Sequence, residues 1–243
     1  MSGHSRWSTI KRKKEKSDAN KGKVFTKIGR ELAVAVKEGG SDAGVNSRLR
    51  ECILKAKAYN VPNENIERII KKASGSDSDE NYESFIYEGY GPAGSAFMVD
   101  ILTENRNRTS ASIRKYFNKN GGNLGTSGCV SFMFRQKGVA IIKKNENYKE
   151  EKVMEDAILS GAEDFESEKD CFIIISEKSG CESVKRNLLE LNYEFLSTEI
   201  AMIPDSYIKI TDYDLKLKAK NLIDALEDDD DVQNVWHNCE FDD

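Results

Sequence analysis

The fold is decided by residues 139–203, VAIIKKNENYKEEKVMEDAILSGAEDFESEKDCFIIISEKSGCESVKRNLLELNYEFLSTEIAMI. This stretch contains six segments in which apolar residues repeat with the period of either a strand or a helix. The predicted elements are strand Val139 to Ile142, helix Glu151 to Leu159, a strand around Phe165, strand Cys171 to Ser176, helix Cys181 to Leu191 and strand Tyr193 to Ile203. This βαββαβ order predicts a ferredoxin-like module with two helices on one face of an antiparallel sheet.

The segments on either side of this module are each incomplete. Upstream, the pattern predicts strands Phe85 to Tyr90 and Ser95 to Leu102, helix Asn107 to Lys119 and strand Cys129 to Phe134. Downstream, it predicts strand Tyr207 to Ile210, helix Asp212 to Leu226 and strand Val232 to Trp236. Because the downstream part is too small to fold alone, we expect it to complete the upstream part, with the ferredoxin-like module inserted between them.

The N-terminal third of the chain predicts three short amphipathic helices. The first ends at Gly39-Gly40, Asn46 or Ser47 caps the second, and Pro62 begins the third. The polar run at residues 74–81 predicts a linker. The expected fold class is α+β, with a three-helix domain at 1–75, an α/β domain at 81–135 plus 205–243, and a ferredoxin-like third domain inserted at 136–204.

Charge is divided unevenly along the chain. The net charge is -5, but the first 72 residues hold 18 Lys or Arg against 8 Asp or Glu, a net charge of +10. A basic module on an acidic body favours a polyanionic partner. No apolar run reaches the roughly 18 residues of a membrane helix, and the polar start lacks a secretory signal. We therefore expect a cytoplasmic protein without a membrane partner.

The segment SGHSRWSTIKRKKEKSDANKGKVFTK, residues 2–27, carries nine Lys or Arg and only two acids. Lysine and arginine release counterions from phosphates, and an aromatic ring can stack on an unpaired base. The predicted contacts are His4, Arg6, Trp7, Lys11, Arg12, Lys13, Lys14, Lys21, Lys23 and Lys27. The alternative interpretation is a solvated tail.

A second basic site is predicted at Arg106 and Arg108, where a helix start plus two guanidinium groups suits a phosphate. Helix capping by Asn107 or Thr109 is the competing explanation. On the second helix, Arg48 and Lys55 lie on the opposite flank of the apolar stripe from Arg50 and Lys57, so these four residues do not form one patch. The glycine-rich stretches match no nucleotide-binding pattern and predict turns.

Catalytic and metal-binding residues are scarce. The two histidines, His4 and His237, lie near opposite ends, and the five cysteines lack a C-x-x-C pair, so we expect reduced thiols, no metal, no cofactor and no small-molecule substrate. The acidic run at residues 227–231 lacks calcium-loop spacing and predicts a solvated turn. A hydrolase acting between the two α/β domains is a third, less favoured hypothesis.

Several segments in this order resemble the YebC/PmpR family over nearly the whole chain. They are GHSRW (3–7), IK (10–11), KGKVFTK (21–27), NIERIIK (65–71), YEGYGPAG (87–94), LTENRNRT (102–109) and GGNLGTSGCVSFMF (121–134). Small departures from the family pattern include Arg6, where the family often has lysine, and Ala93, where glycine is common.

The resemblance implies a helical N-terminal domain, a nested pair of α/β domains and no catalytic residue. It also implies regulation of gene expression. The leading hypothesis is a DNA-binding transcriptional regulator, and the alternative is a ribosome-associated translation factor in which the same cations meet ribosomal RNA. Both partners present phosphates, so the sequence leaves the choice open.

Overall fold

The computed structural model describes residues 21–75 and 81–241. In chain order the elements are α1 (Lys21–Gly39), α2 (Ser47–Ala58), α3 (Asn63–Ser74), β1 (Glu83–Tyr90), β2 (Ala96–Thr103), α4 (Arg106–Lys119), β3 (Asn123–Leu124), β4 (Phe134–Lys143), α5 (Glu150–Leu159), β5 (Asp164–Ser167), β6 (Cys171–Glu177), α6 (Cys181–Glu190), β7 (Phe195–Pro204), β8 (Ile208–Ile210), α7 (Tyr213–Glu227), β9 (Val232–His237) and β10 (Cys239–Phe241).

The chain divides into two compact units. The first, here called the helical unit, contains residues 21–130 and 211–235 within the described ranges. The second, the ferredoxin-like unit, contains residues 131–210 and 236–241. The α+β fold class is confirmed. The three domain boundaries expected from the sequence remain predictions.

Helices α1 to α3 pack around a small apolar core in which Leu32, Leu49 and Ala56 are fully buried. The helix boundaries follow the predicted signals, because Asn46 caps α2 by accepting a hydrogen bond from the Leu49 N–H at 3.0 Å. The Asn46 amide also donates to the Ala35 carbonyl at 2.7 Å. One side chain therefore fixes the start of α2 against the last turns of α1.

The sheet of the helical unit has the strand order β3-β1-β2-β9. Strands β1 and β2 are antiparallel, with Gly89 opposite Phe97. The last strand, β9, comes from the C-terminal part of the chain, as the incomplete upstream pattern required. Helix α4 buries Ile113 and Phe117, and α7 buries Leu222 and other apolar residues.

Two turns of this unit have backbone geometries that favour glycine. A Cβ atom on Gly122 would lie 2.6 Å from the backbone oxygen of Tyr90, so any larger residue would separate the chains. In the short helical turn Pro92–Gly94, Ala93 has φ +58°, in the left-handed region. Position 93 is where the resembled family commonly has glycine.

The ferredoxin-like unit has the strand order β5-β6-β4-β7, with every neighbouring pair antiparallel. One face of the sheet, which includes Ile142, Phe172 and Ile174, packs on Val153 of α5 and Leu188 of α6. Residues of the alternate register, Val139, Ile141, Cys171, Ile173 and Ile175, form a separate cluster on the opposite face. The predicted βαββαβ arrangement is confirmed.

The strand predicted from Cys129 to Phe134 is wrong. The ladder begins only at Phe134, and residues 131–133 form a helical turn. The buried Glu88 carboxylate accepts hydrogen bonds from the N–H groups of Gly128 at 2.8 Å and Val130 at 2.9 Å. Because the Glu88 carboxylate accepts from these N–H groups, they need no partner in a neighbouring strand. Val130 is therefore buried in a loop and not in a sheet.

Candidate nucleic-acid interface

Three basic residues of α1 contact the C-terminal end of α7. The Lys23 Nζ donates to the Asp228 carbonyl at 3.1 Å, and the Lys27 Nζ donates to the Glu227 carbonyl at 2.7 Å. The Arg30 guanidinium donates to the Asp230 carbonyl. The last carbonyls of a helix have no partners within the helix, and they lie at its negative end, so cationic donors stabilise them.

We call residues 227–231 the acidic turn. Its last member, Asp231, has a side chain only 8% exposed. The Asp231 carboxylate accepts from the hydroxyls of Thr103 at 3.0 Å and Thr109 at 2.7 Å, and it pairs with Arg108 at 3.0 Å and Arg30 at 2.8 Å. Two cations and two hydroxyls replace the water that the carboxylate loses on burial.

The pKa of Asp231 follows from this environment. Burial by itself raises the pKa, but the hydrogen bonds from Thr109, Arg108 and Thr103 and the charge of Arg30 together hold it below its ordinary value. The Arg108 guanidinium shows the reciprocal effect, since its hydrogen bond to Asp231 raises its pKa. The carboxylate is therefore held in its charged form.

Arg106 and Arg108 occupy the first turn of α4, where no acidic residue is present. The Arg106 guanidinium lies 4.8 Å from the centre of the Phe85 ring, in cation–π geometry. The helix cap is Asn105, which accepts from the Arg108 N–H at 3.0 Å, so capping by Asn107 or Thr109 is wrong. Thr109 has another use, because its hydroxyl contacts Asp231.

The predicted contacts divide into two groups. His4, Arg6, Trp7, Lys11, Arg12, Lys13 and Lys14 lie outside the described residues. Of the others, Lys21 is exposed at the first residue of α1. Lys23, Lys27 and Arg108 meet at the acidic turn.

The role of the acidic turn was not predicted, and the solvated turn expected from the sequence is wrong for Asp231. Its hydroxyl partners, Thr103 and Thr109, lie more than 120 positions away in the sequence. The Leu102 N–H donates to the Asp231 carbonyl at 2.8 Å, so the position of the turn depends on β2. A local sequence signal for this cluster does not exist.

Three of the four cations of α2 have partners close to the helix itself. Arg48 is paired with Glu38, Lys55 with Glu31 at 2.7 Å, and Arg50 donates to the Ala43 carbonyl at 3.0 Å. Arg48 and Lys55 pair with acids of α1, whereas Arg50 contacts the loop before α2, so the two basic rows of α2 have different neighbours.

Residues that suit metal or covalent chemistry are dispersed. Across residues 21–75 and 81–241, His, Cys, Asp and Glu form no group of three or more with metal-binding geometry. All five cysteines are free thiols, and His237 is buried with its Nδ1 accepting from the Cys239 N–H at 3.2 Å. None of the helices in these same ranges is long and apolar enough to cross a membrane.

Comparison with known proteins gives two family matches that together cover most of the chain. Residues 5–76 match the model of the TACO1/YebC protein N-terminal domain, and residues 82–239 match that of the TACO1/YebC second and third domain. The chain belongs to the TACO1/YebC family. The resemblance found in the sequence is thereby confirmed.

Individual TACO1/YebC relatives are similar over their full length. A probable transcriptional regulatory protein of Clostridium acetobutylicum is 51% identical over 242 residues, covering 100% of this chain and 98% of the relative. One of the same description from Clostridium botulinum is 52% identical over 241 residues, covering 99% and 98%. The crystal structure of a conserved hypothetical protein from Aquifex aeolicus matches with a TM-score of 0.84 and 43% identity over 93% of each chain.

Proposed function

We propose that this TACO1/YebC protein is a cytoplasmic, non-catalytic regulator of transcription that binds DNA through its basic N-terminal part. The clostridial relatives are described as probable transcriptional regulatory proteins, which supports the regulatory role. The binding role rests on charge. Nine Lys or Arg in residues 2–27 continue directly into α1.

One observation carries the binding proposal. Helices usually begin with acidic residues, which the positive end of the helix dipole stabilises. The first turn of α4 instead contains no acid and carries Arg106 and Arg108, and the first described residues of α1 include Lys21 and Lys23. Cations gathered in one unit favour anions, and nucleic-acid phosphates compete for them with the acidic turn.

The proposed roles of the residues follow from their chemistry. Arg6, Lys11, Arg12, Lys13, Lys14 and Lys21 contact phosphates, while His4 and Trp7 lie near bases. Lys23, Lys27 and Arg108 hold oxygen atoms of the protein itself, so they reach phosphates only by exchanging partners. Ribosomal RNA presents the same phosphates, and a ribosome-associated translation factor is the alternative outcome.

Binding measurements with four changed lysines or arginines test the proposal. Replacing residues 11–14 (KRKK) with alanine should weaken duplex binding and flatten its salt dependence, since each phosphate contact contributes about 0.9 to the slope. A matched control removes four exposed lysines of the ferredoxin-like unit. These are Lys143, Lys149, Lys169 and Lys178. Equal slopes for both variants would remove the 11–14 cluster from the interface.

Sedimentation of the tagged protein through a sucrose gradient then separates the two targets. We expect the protein to remain in the light fractions of the gradient. In a separate electrophoretic mobility assay at physiological salt, it should shift selected promoter duplexes. Cosedimentation with ribosomes, without any sequence-selective promoter shift, would replace the transcription proposal by the ribosomal one.

A further inference from the structure

The acidic turn presents oxygen atoms to the cations of α1 in the way that a nucleic-acid backbone does. Charge-assisted contacts of lysine and arginine with phosphate oxygens have N–O distances of about 2.7–2.9 Å. Lys27 meets the Glu227 carbonyl at 2.7 Å, and Arg30 meets the Asp231 carboxylate at 2.8 Å. The oxygen atoms of the turn thus meet the cations of α1 at distances that phosphate oxygens also adopt.

We propose that the acidic turn is an intramolecular competitor for nucleic-acid phosphates at Lys23 and Lys27. This inference rests on the proposed function and adds its regulation. In the free protein the turn holds these two lysines, and a bound nucleic acid displaces the turn from them. Polyanions that engage only a few cations then fail to compete, so the turn raises selectivity for extended backbones.

The contacts differ in how easily they exchange. The ion pair between Lys23 and Asp228 spans 3.7 Å, and its side chains are 44% and 47% exposed, so water already competes for both ends. In contrast, Asp231 is buried against Thr103, Thr109 and Arg108 and keeps these contacts when Lys23 and Lys27 leave the turn. The outer part of the turn therefore exchanges while the inner part remains anchored.

Two exposed acids provide a test that leaves the anchor unchanged. The double variant Asp228→Asn and Asp230→Asn removes two charges from the turn, and both residues are exposed. The matched control, Glu146→Gln and Glu190→Gln, removes two exposed charges from the ferredoxin-like unit. Binding of a fluorescein-labelled duplex of random sequence and of a matched single-stranded RNA is followed by anisotropy between low and physiological salt.

We expect the turn variant to bind on the order of fivefold more tightly than wild type and to steepen the salt dependence by about one unit, for the ion pair of Lys23 with Asp228 that is lost. The control should change affinity by less than half as much on the logarithmic scale. Equal effects of both variants would reduce the turn to general repulsion and overturn the inference, while leaving the proposed function intact.

Two further outcomes are separable. Binding by the turn variant but not by wild type would support the inference in its strongest form. Absence of binding by all three proteins would reject both the inference and the proposed function. In wild type, amide hydrogen exchange at residues 228–230 should accelerate when the duplex is added, and unchanged or slower exchange there would show that the turn stays on the lysines and overturn the inference.

Discussion

Asp231 carries more of the stability of the helical unit than its place in a run of acids suggests. Its carboxylate is 8% exposed and meets the donors of Thr103, Thr109, Arg108 and Arg30. Asp231→Ala removes the carboxylate that these four donors share and leaves the charges of Arg108 and Arg30 without their carboxylate partner, and we expect the free energy of unfolding to fall by about 3 kcal/mol. Urea denaturation measures this loss, and Asp230→Ala next to it, an exposed residue, should change little. A similar midpoint for both variants would contradict the prediction.

The lowered pKa of Asp231 also predicts how stability depends on pH. Because the folded pKa lies below the unfolded value of about 4, the unfolded state binds the proton more tightly, and the stabilisation is complete only above that value. It is lost as the pH falls below about 4 and through the folded pKa. The stability difference between wild type and Asp231→Asn should therefore be largest at neutral pH and shrink in acid. A difference that grows in acid would contradict the assignment.

Replacing Ala93 should increase the stability of the protein. Its φ of +58° is strained for any residue with a Cβ atom, and glycine adopts this region freely. We expect Ala93→Gly to raise the free energy of unfolding by about 0.5 kcal/mol after the entropy of the unfolded chain is included. The control is Ala111→Gly, an exposed position inside α4, which should lower it by about 1 kcal/mol. Thermal unfolding of both variants gives the two signs.

At the scale of elements, the start of α2 depends on Asn46. Its side chain accepts from Leu49 and donates to the carbonyls of Ala35 and Gly40. We expect Asn46→Ala to lower the free energy of unfolding by about 2 kcal/mol or more, because three bonds are lost and the Ala35 carbonyl is buried. Asn105→Ala removes a cap that accepts only from Arg108 and should lower it by about 1 kcal/mol. Equal losses in chemical denaturation would contradict this difference.

Elements were predictable where their signals are local. The three N-terminal helices follow from apolar spacing, Asn46, Pro62 and Gly39, and the ferredoxin-like order follows from alternating apolar runs. The strand at 129–134 was wrong because Glu88, some 40 residues earlier, satisfies the backbone of that segment as a loop. The nucleic-acid contacts expected from charge, Lys23, Lys27 and Arg108 among them, remain predictions. The acidic turn that these three residues contact was not predictable, because long-range pairing of the chain places it.

At the scale of the whole molecule, charge asymmetry predicts a strong salt effect. The first 72 residues carry a net charge of +10, and the rest of the chain carries -15. With about six phosphates engaged, affinity for a DNA duplex should fall on the order of a thousandfold between roughly 50 and 200 mM salt. Fluorescence titrations at four salt concentrations give the slope. A slope near zero would exclude a phosphate-dominated interface.

The position of β9 in its sheet has a consequence for synthesis of the chain. Strand β2 ends at Thr103, yet its neighbour β9 begins only at Val232. In a growing polypeptide, one edge of β2 therefore stays unpaired until β9 has been translated, which takes on the order of ten seconds. During that time Phe97, Val99 and Ile101 of β2, which are buried in the folded protein, lack their final packing partners. The ferredoxin-like sheet needs nothing beyond Pro204 and closes earlier. Nascent chains are thus most vulnerable to aggregation through the unpaired edge of β2.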